Sequence, residues 1–499
     1  MDFKRASFLF VVLLFSGAGS LNAQAVGDRT SVDLTIYNFD LALIRETRPI
    51  ALTSGLNTVV LPEIPATIDG TSLHFTSLTD PQGVRVLEQN FQYDLVHQAK
   101  LLEKYLGKEI EFVRVDPSTK REFTVTGKLL ATGWRPQYYG QNRPNSYMSS
   151  GGMVAEINGK IELNPAGRLV LPSLPEGLIL KPQLQWLLTS RRSGTHKTEI
   201  SYLARQLSWN CDYVVLLNEE DTRLDLTGWV TLRNNSGTSF RNAGLKLVAG
   251  DVNLVRNTNQ VGMALSAMAK DEAAAPQFQQ KELFEYKLYT LQRKTDLAND
   301  ETKQIELVSG KDITATKQFV YDGLGDVWRS WWRNAGYRDQ RTFGQVSNPK
   351  VGVFVTFMNE KDAGLGIPLP KGKIRVYKKD ADGKEQFIGE DQIDHTPKDE
   401  QVRLYLGNAF DIVGSRVQKD FRVIVSGHSV EERFEISVKN HKDTDVEVLV
   451  YEHPWRWNEW EITKSNRRWE KVDQSTLKFP VKIAANAEVN ISYTVRYTW

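Results

Sequence analysis

Nucleophilic catalysis needs a base beside the nucleophile and a third group that orients the base. This 499-residue chain contains no Gly-x-Ser-x-Gly elbow. Its seven histidines, His74, His97, His196, His395, His428, His441 and His453, are scattered without the close spacing of a metal-binding helix. The densest acid and imidazole cluster is Glu390, Asp391, Asp394, His395, Asp399 and Glu400. Carboxylates with an imidazole can hold a divalent ion, but the glycine-centred calcium-loop spacing is absent. Pro397 and the charge density describe a solvated turn, so no metal and no cofactor are expected. Asp380-Ala381-Asp382-Gly383 opens like a cation loop and ends like a hairpin turn, because the remaining ligand positions do not follow. Cys211 is the only cysteine, which rules out an intrachain disulfide and any cysteine-rich metal site. Alternation places it on one face with Trp209 and Tyr213, the setting of an inert, packed thiol.

The aromatic residues carry the stronger signal. Of twelve tryptophans, two groups fall where no strand period is visible. Trp328, Trp331 and Trp332 stand with Arg329, Arg333, Tyr337 and Arg338; Trp455, Trp457 and Trp460 stand with Arg456 and Asn458. Rings flanked by Arg and Asn can stack on sugar faces or anchor a protein interface. The competing expectation is that large aromatics plug the ends of sandwiches. Trp328, Trp331, Trp332, Tyr337, Trp455, Trp457 and Trp460 are therefore the candidate binding residues for a glycan or protein partner. Trp331 and Trp332 are neighbours and, in an extended segment, face opposite ways, which predicts partial exposure for at least one.

These residues sit in a chain of short alternating runs broken by turns, the pattern of strands. Val32–Tyr37, Thr198–Ala204, Asp212–Leu217 and Asp225–Arg233 are examples. One helix is expected after Asp94, with Leu95, Val96, Ala99, Leu102 and Leu106 at helical spacing and Gly107 as its stop. Asn158-Gly159 between Met153–Ile157 and Lys160–Leu163 marks a hairpin. Gly228–Asn235 leading into Leu245–Val248 is echoed by Phe434–His441 leading into Val446–Val450: a strand, an Asn-led turn and a second strand. The expected fold is mainly β, with tandem antiparallel β-sandwich domains and one short helix in the N-terminal region. The expected divisions are a signal peptide (1–25), an N-terminal β-rich domain (26–190), the first part of a second sandwich region (191–256), a linker or excursion (257–281) and a C-terminal sandwich region (282–499).

Lys4 and Arg5, the apolar run Phe8–Phe15 and the small-residue site Ala23-Gln24-Ala25 form a secretory signal. Export to a periplasm or cell envelope is expected, with no transmembrane span after cleavage. Composition is ordinarily globular, and a formal net charge of +2 gives no field directing the chain to nucleic acid. The final alternating run, Ile491–Trp499, ends in an aromatic as outer-membrane barrels do. However, strands such as Glu431–Lys439 carry too many charges for a lipid-facing wall.

Three stretches resemble the exported bacterial proteins of the domain of unknown function 4139 family, whose relatives include mucoidy inhibitor A-like proteins. The first runs from Leu34–Tyr37 through Leu61–Pro65 to Thr71–Leu73. The second runs from Tyr202–Arg205 through Leu207–Tyr213 to Leu247–Asn253. The third runs from Pro368–Tyr377 through Phe387–Asp391 to Leu406–Asp411. The long coiled coil that mucoidy inhibitor A-like relatives place between their modules has no counterpart here. The resemblance implies the architecture and brings no reaction or catalytic residues. The functional expectation is a non-enzymatic, exported binding or scaffolding module of the envelope. The second expectation is an enzyme acting on cell-surface polysaccharide, with no catalytic residue marked by a motif.

Overall fold

The computed structural model describes residues 24–92, 97–138, 144–149, 151–173, 175, 178–179, 181–250, 277–283, 286–332 and 336–499. Alternation becomes strand almost everywhere it was expected. In Ser31–Tyr37, for example, Val32, Leu34 and Ile36 point inward and are buried. Among the described residues the helices are α1 (Gln98–Lys104), α2 (Val327–Trp331) and a 3-10 turn at Lys361–Ala363. The fold is mainly β. Helix α1 starts later than the sequence suggests: His97 is its N-cap, Asp94 lies outside the described residues, and only Ala99 and Leu102 are buried by it. Gly107 follows with φ 78°, so it does stop the helix. At the Asn158-Gly159 hairpin both residues have positive φ, 50° and 72°, as a two-residue turn of that kind requires.

An eight-stranded sheet includes Ser31–Tyr37, Ala42–Leu52, Ile68–Ser77, Gly194–Ala204 and Phe240–Ala249. It shares one core with the hairpin Leu207–Leu217 and Arg223–Asn234 of a thirteen-stranded sheet. Gly194–Ala204 pairs along its whole length with Ala42–Leu52, so residues on both sides of position 190 build the same sheet. Of the expected 257–281 excursion, residues 257–276 lie outside the described residues. Phe278–Leu283 is a strand paired with Tyr286–Leu291, and Phe278 is buried. A five-stranded sheet with α1 forms a separate small core between Val84–Gln92 and Gln183–Ser190, strands that are themselves neighbours.

The echo seen in the sequence is a repeat of topology. In the first sandwich Arg223–Asn234 pairs antiparallel with the first part of Glu301–Asp322, and Phe240–Ala249 runs parallel to Ser31–Tyr37. In the second, Ser429–Asn440 pairs antiparallel with Glu488–Thr498, and Val446–Glu452 runs parallel to the last residues of Glu301–Asp322. The same corner closes both. Asn234 Nδ2 donates to the carbonyls of Thr238 and Ala298 at 2.9 Å, while its Oδ1 accepts from Ser236 N–H at 3.1 Å. Asn440 Nδ2 donates to Thr444 and Ala484 at 2.8 and 3.0 Å, while its Oδ1 accepts from Lys442 N–H at 3.0 Å. One buried amide thus satisfies a turn and ties it to a strand end.

Three strands run through both cores. Glu301–Asp322 buries Ile305, Leu307 and Ile313 in the first and Tyr321 in the second. Lys350–Met358 gives Val355 and Phe357 to the first and Val351 to the second; Gln401–Val425 gives Leu404 and Ile412 in the same way. Continuous ladders across the junction join the sandwiches without a flexible linker.

Candidate functional site

The two tryptophan groups converge at one end of the second sandwich. After Asp322 the strand ends because its carboxylate accepts the N–H groups of Leu324 and Gly325 at 3.1 and 2.8 Å. Helix α2 follows, so Trp328, Trp331 and Trp332 sit on a helical turn rather than an extended segment, and both Trp331 and Trp332 are half-buried. Trp328 (7% exposed) and Trp455 (1%) are packed inside. Trp331 meets Trp455 and Phe343 edge-on at 5.4 and 5.8 Å, and Tyr337 stacks on Phe343 at 4.1 Å. Tyr337, Trp457 and Trp460 are half-buried. Trp460 donates its indole N–H to the Gln474 carbonyl at 2.7 Å and lies 6.3 Å from Trp469.

Two buried arginines hold this end together. Arg456, fully buried, donates to the carbonyls of Tyr337, Arg338, Gln340 and Phe343 and to the Glu432 carboxylate, all within 2.7–3.0 Å. Arg416 forks onto Glu452 through Nε at 2.8 and 3.0 Å and also donates to the Gly344 carbonyl. Burial opposes the Arg416 charge, but Glu452 and the oxygen of Tyr493 hold its pKa above the ordinary value. Gly344 has φ 86°, and a Cβ there would sit 3.1 Å from the Trp455 indole nitrogen, so the backbone approaches as only glycine allows. A third arginine, Arg338, lies between the rings of Trp457 and Trp499 at 4.9 and 4.8 Å.

His453 stacks on Trp328 at 4.5 Å, bonds Asp322 through Nε2 at 3.2 Å, and meets Thr476 Oγ1 through Nδ1 at 3.3 Å. Burial alone would raise the Asp322 carboxyl. The hydrogen bond and charge of His453, with the N–H groups of Gly325 and Leu324, bring it below its ordinary value. The order Asp, His, Thr mimics a catalytic triad, but Thr476 is buried and an indole stacks on the imidazole. A second hydroxyl and imidazole pair, Ser77 and His196 at 3.0 Å, is buried, and the far nitrogen of His196 faces the Arg192 carbonyl at 3.4 Å rather than a carboxylate.

The other sequence candidates lie apart from this end. His395 Nδ1 accepts from Lys371 N–H at 3.1 Å, Glu390 contacts Lys373 and Arg375, and Asp391 caps Tyr405 N–H. Among the described residues no three metal-binding side chains converge. Asp380 accepts from the N–H groups of Asp382 and Lys384 in a hairpin turn where Gly383 has φ 75°. Cys211 is buried beside Trp209 and Tyr213, and burial pushes its thiol up to about 12. Sequence reasoning did not join Arg338, Trp457 and Trp499, because no spacing links positions so far apart in the chain.

No family model matches the chain, and no curated protein matches it.

Proposed function

We propose that this chain is an exported, non-enzymatic binding or scaffolding module of the cell envelope, with its binding face at the aromatic end of the second sandwich. The observation that carries the reading is a set of half-buried rings drawn from three segments, Trp331 and Trp332 at helix α2, Tyr337 on the loop whose carbonyls Arg456 holds, and Trp457 and Trp460 just after Arg456. Trp328 and Trp455 serve as the packed base of that set. A fixed aromatic surface loses little entropy on binding and offers flat apolar faces to a sugar or a protein anchor. The signal-like N-terminus and the resemblance to the domain of unknown function 4139 family point to the same compartment.

Trp332→Ala and Trp457→Ala test the reading by comparing thermal stability with retention on envelope polysaccharide and in pull-downs. Loss of partner with stability kept within about 1 kcal/mol, the usual scale of surface substitutions, supports it. A loss of about 3–5 kcal/mol with binding unaltered in the folded fraction overturns it, because that is the cost of truncating a core aromatic.

A further inference from the structure

Most arginines at this end of the molecule are committed; among the described residues exposed Arg341 also lacks an ion pair, but only Arg338 combines that lack with rings beside it. Arg416 and Arg456 are spent on buried carboxylates and loop carbonyls, and Arg422 and Arg496 pair with Asp420 and Glu431. Arg338 makes no ion pair and no side-chain hydrogen bond among the described residues, and its Nε is buried without a partner. Its guanidinium instead sits between two indoles. The rings flank the group, and its terminal N–H groups carry no protein acceptor among the described residues, so they can receive a carboxylate in a fork.

The arrangement is fixed before any ligand arrives. Arg456 holds the carbonyls of Tyr337 and Arg338 at 2.8 Å, which sets the backbone from which the Arg338 side chain leaves. Trp457 is the next residue in the chain after Arg456. Trp499 is pinned by its N–H to the His428 carbonyl at 2.9 Å and by its own carbonyl to His428 Nδ1 at 2.8 Å. Three separate segments therefore build one unpaired cation between two apolar planes.

Resting on the binding-module reading above, we infer that this stack recognises the carboxylate of a uronate sugar, and that the partner is an acidic polysaccharide. The terminal N–H groups take the carboxylate, and the half-buried indole faces beside them take the C–H face of the ring. An acidic peptide satisfies the cation alone and leaves the indole planes without a matching surface.

The test uses the full chain with polygalacturonate, neutral dextran and poly-L-glutamate of similar length, read by affinity electrophoresis or calorimetry at 50 and 500 mM NaCl. The expected result is binding to polygalacturonate over the other two, weakened by salt. Arg338→Gln should lower it by about tenfold or more, the usual weight of a hydrogen bond to a charged group, and Arg338→Lys should restore part of it. Thermal unfolding of both variants should stay near that of the parent chain, which separates lost recognition from lost folding. Unchanged polygalacturonate binding in Arg338→Gln overturns the inference, as does equal binding of poly-L-glutamate. Equal binding of dextran, lost in Trp457→Ala, overturns the acidic class and leaves the module reading standing. No glycan binding at all, with Trp332→Ala and Trp457→Ala silent in pull-downs, removes both.

Discussion

Replacing Arg456 by Met is the sharpest perturbation of the candidate site. The side chain is fully buried, and its two terminal nitrogens serve four loop carbonyls and one carboxylate. Methionine fills much of the volume but donates nothing. Glu432, itself fully buried, would keep only the Gln418 amide at 2.7 Å as a hydrogen-bond donor. Breaking one side of a buried pair costs about 3–5 kcal/mol, because the surviving charge is left uncompensated. For a unit of 150–250 residues each kcal/mol moves the midpoint by about 2–4 °C, so the drop should be roughly 6–20 °C. The assay is thermal and urea unfolding of the single variant, of Glu432→Gln and of the pair. Glu432→Gln should recover part of the loss in the Arg456→Met background, since it removes the stranded charge, although the four carbonyls stay unserved. A cost below about 1 kcal/mol, or no recovery in the double variant, would refute the claim that this ion pair and its carbonyls organise the loop.

Cys211 should resist iodoacetamide at pH 8 in the folded protein and react once urea unfolds it, because burial pushes its thiol up to about 12 and only the thiolate attacks; fast labelling of native protein would contradict this. The Asp322 carboxyl lies below its ordinary value in the fold, so its contribution is present above the unfolded carboxyl pKa and is lost as pH falls through the folded one. Acid unfolding profiles below pH 4 should therefore be shallower for Asp322→Asn than for the parent chain. Asn234→Ala and Asn440→Ala should each cost about 1–3 kcal/mol, since each leaves buried carbonyls without a donor. Similar values measured by urea unfolding would show that the two corners are energetically alike, and a neutral result at either would break the equivalence.

Much of the architecture is local and therefore legible in sequence. Period-2 alternation marks which face of Ser31–Tyr37 or Leu207–Leu217 is inside, since side chains must alternate across a strand. Positive φ is demanded at the tip of a two-residue hairpin, so Asn158-Gly159 announced its turn. The Asn-led turns after Gly228 and Phe434 signalled a repeated unit because their short amides bond the backbone nearby. Helix α2 escaped: it is five residues long, too short to establish a period.

What the sequence alone could not reach depends on contacts between distant segments. Nothing local says that Gly194–Ala204 pairs with Ala42–Leu52, or that Glu301–Asp322 ends one sandwich and begins the next. The tryptophan groups were visible as composition, but exposure separates a binding ring from a packed one. Burial of Trp328 and Trp455 beside half-buried Trp332 and Trp457 is decided by what folds over each. In the sequence Arg456 is a charge flanking the rings. Only the tertiary structure buries it against Glu432 and turns it into the support of a loop more than a hundred residues earlier in the chain. Arg338 is the converse case, a charge left without an ion-pair partner among the described residues because the fold brings two indoles beside it and no carboxylate to its N–H groups. Residue type and spacing determine strands and turns; which charges are paired is a property of the packed assembly, where neighbours in space replace neighbours in sequence.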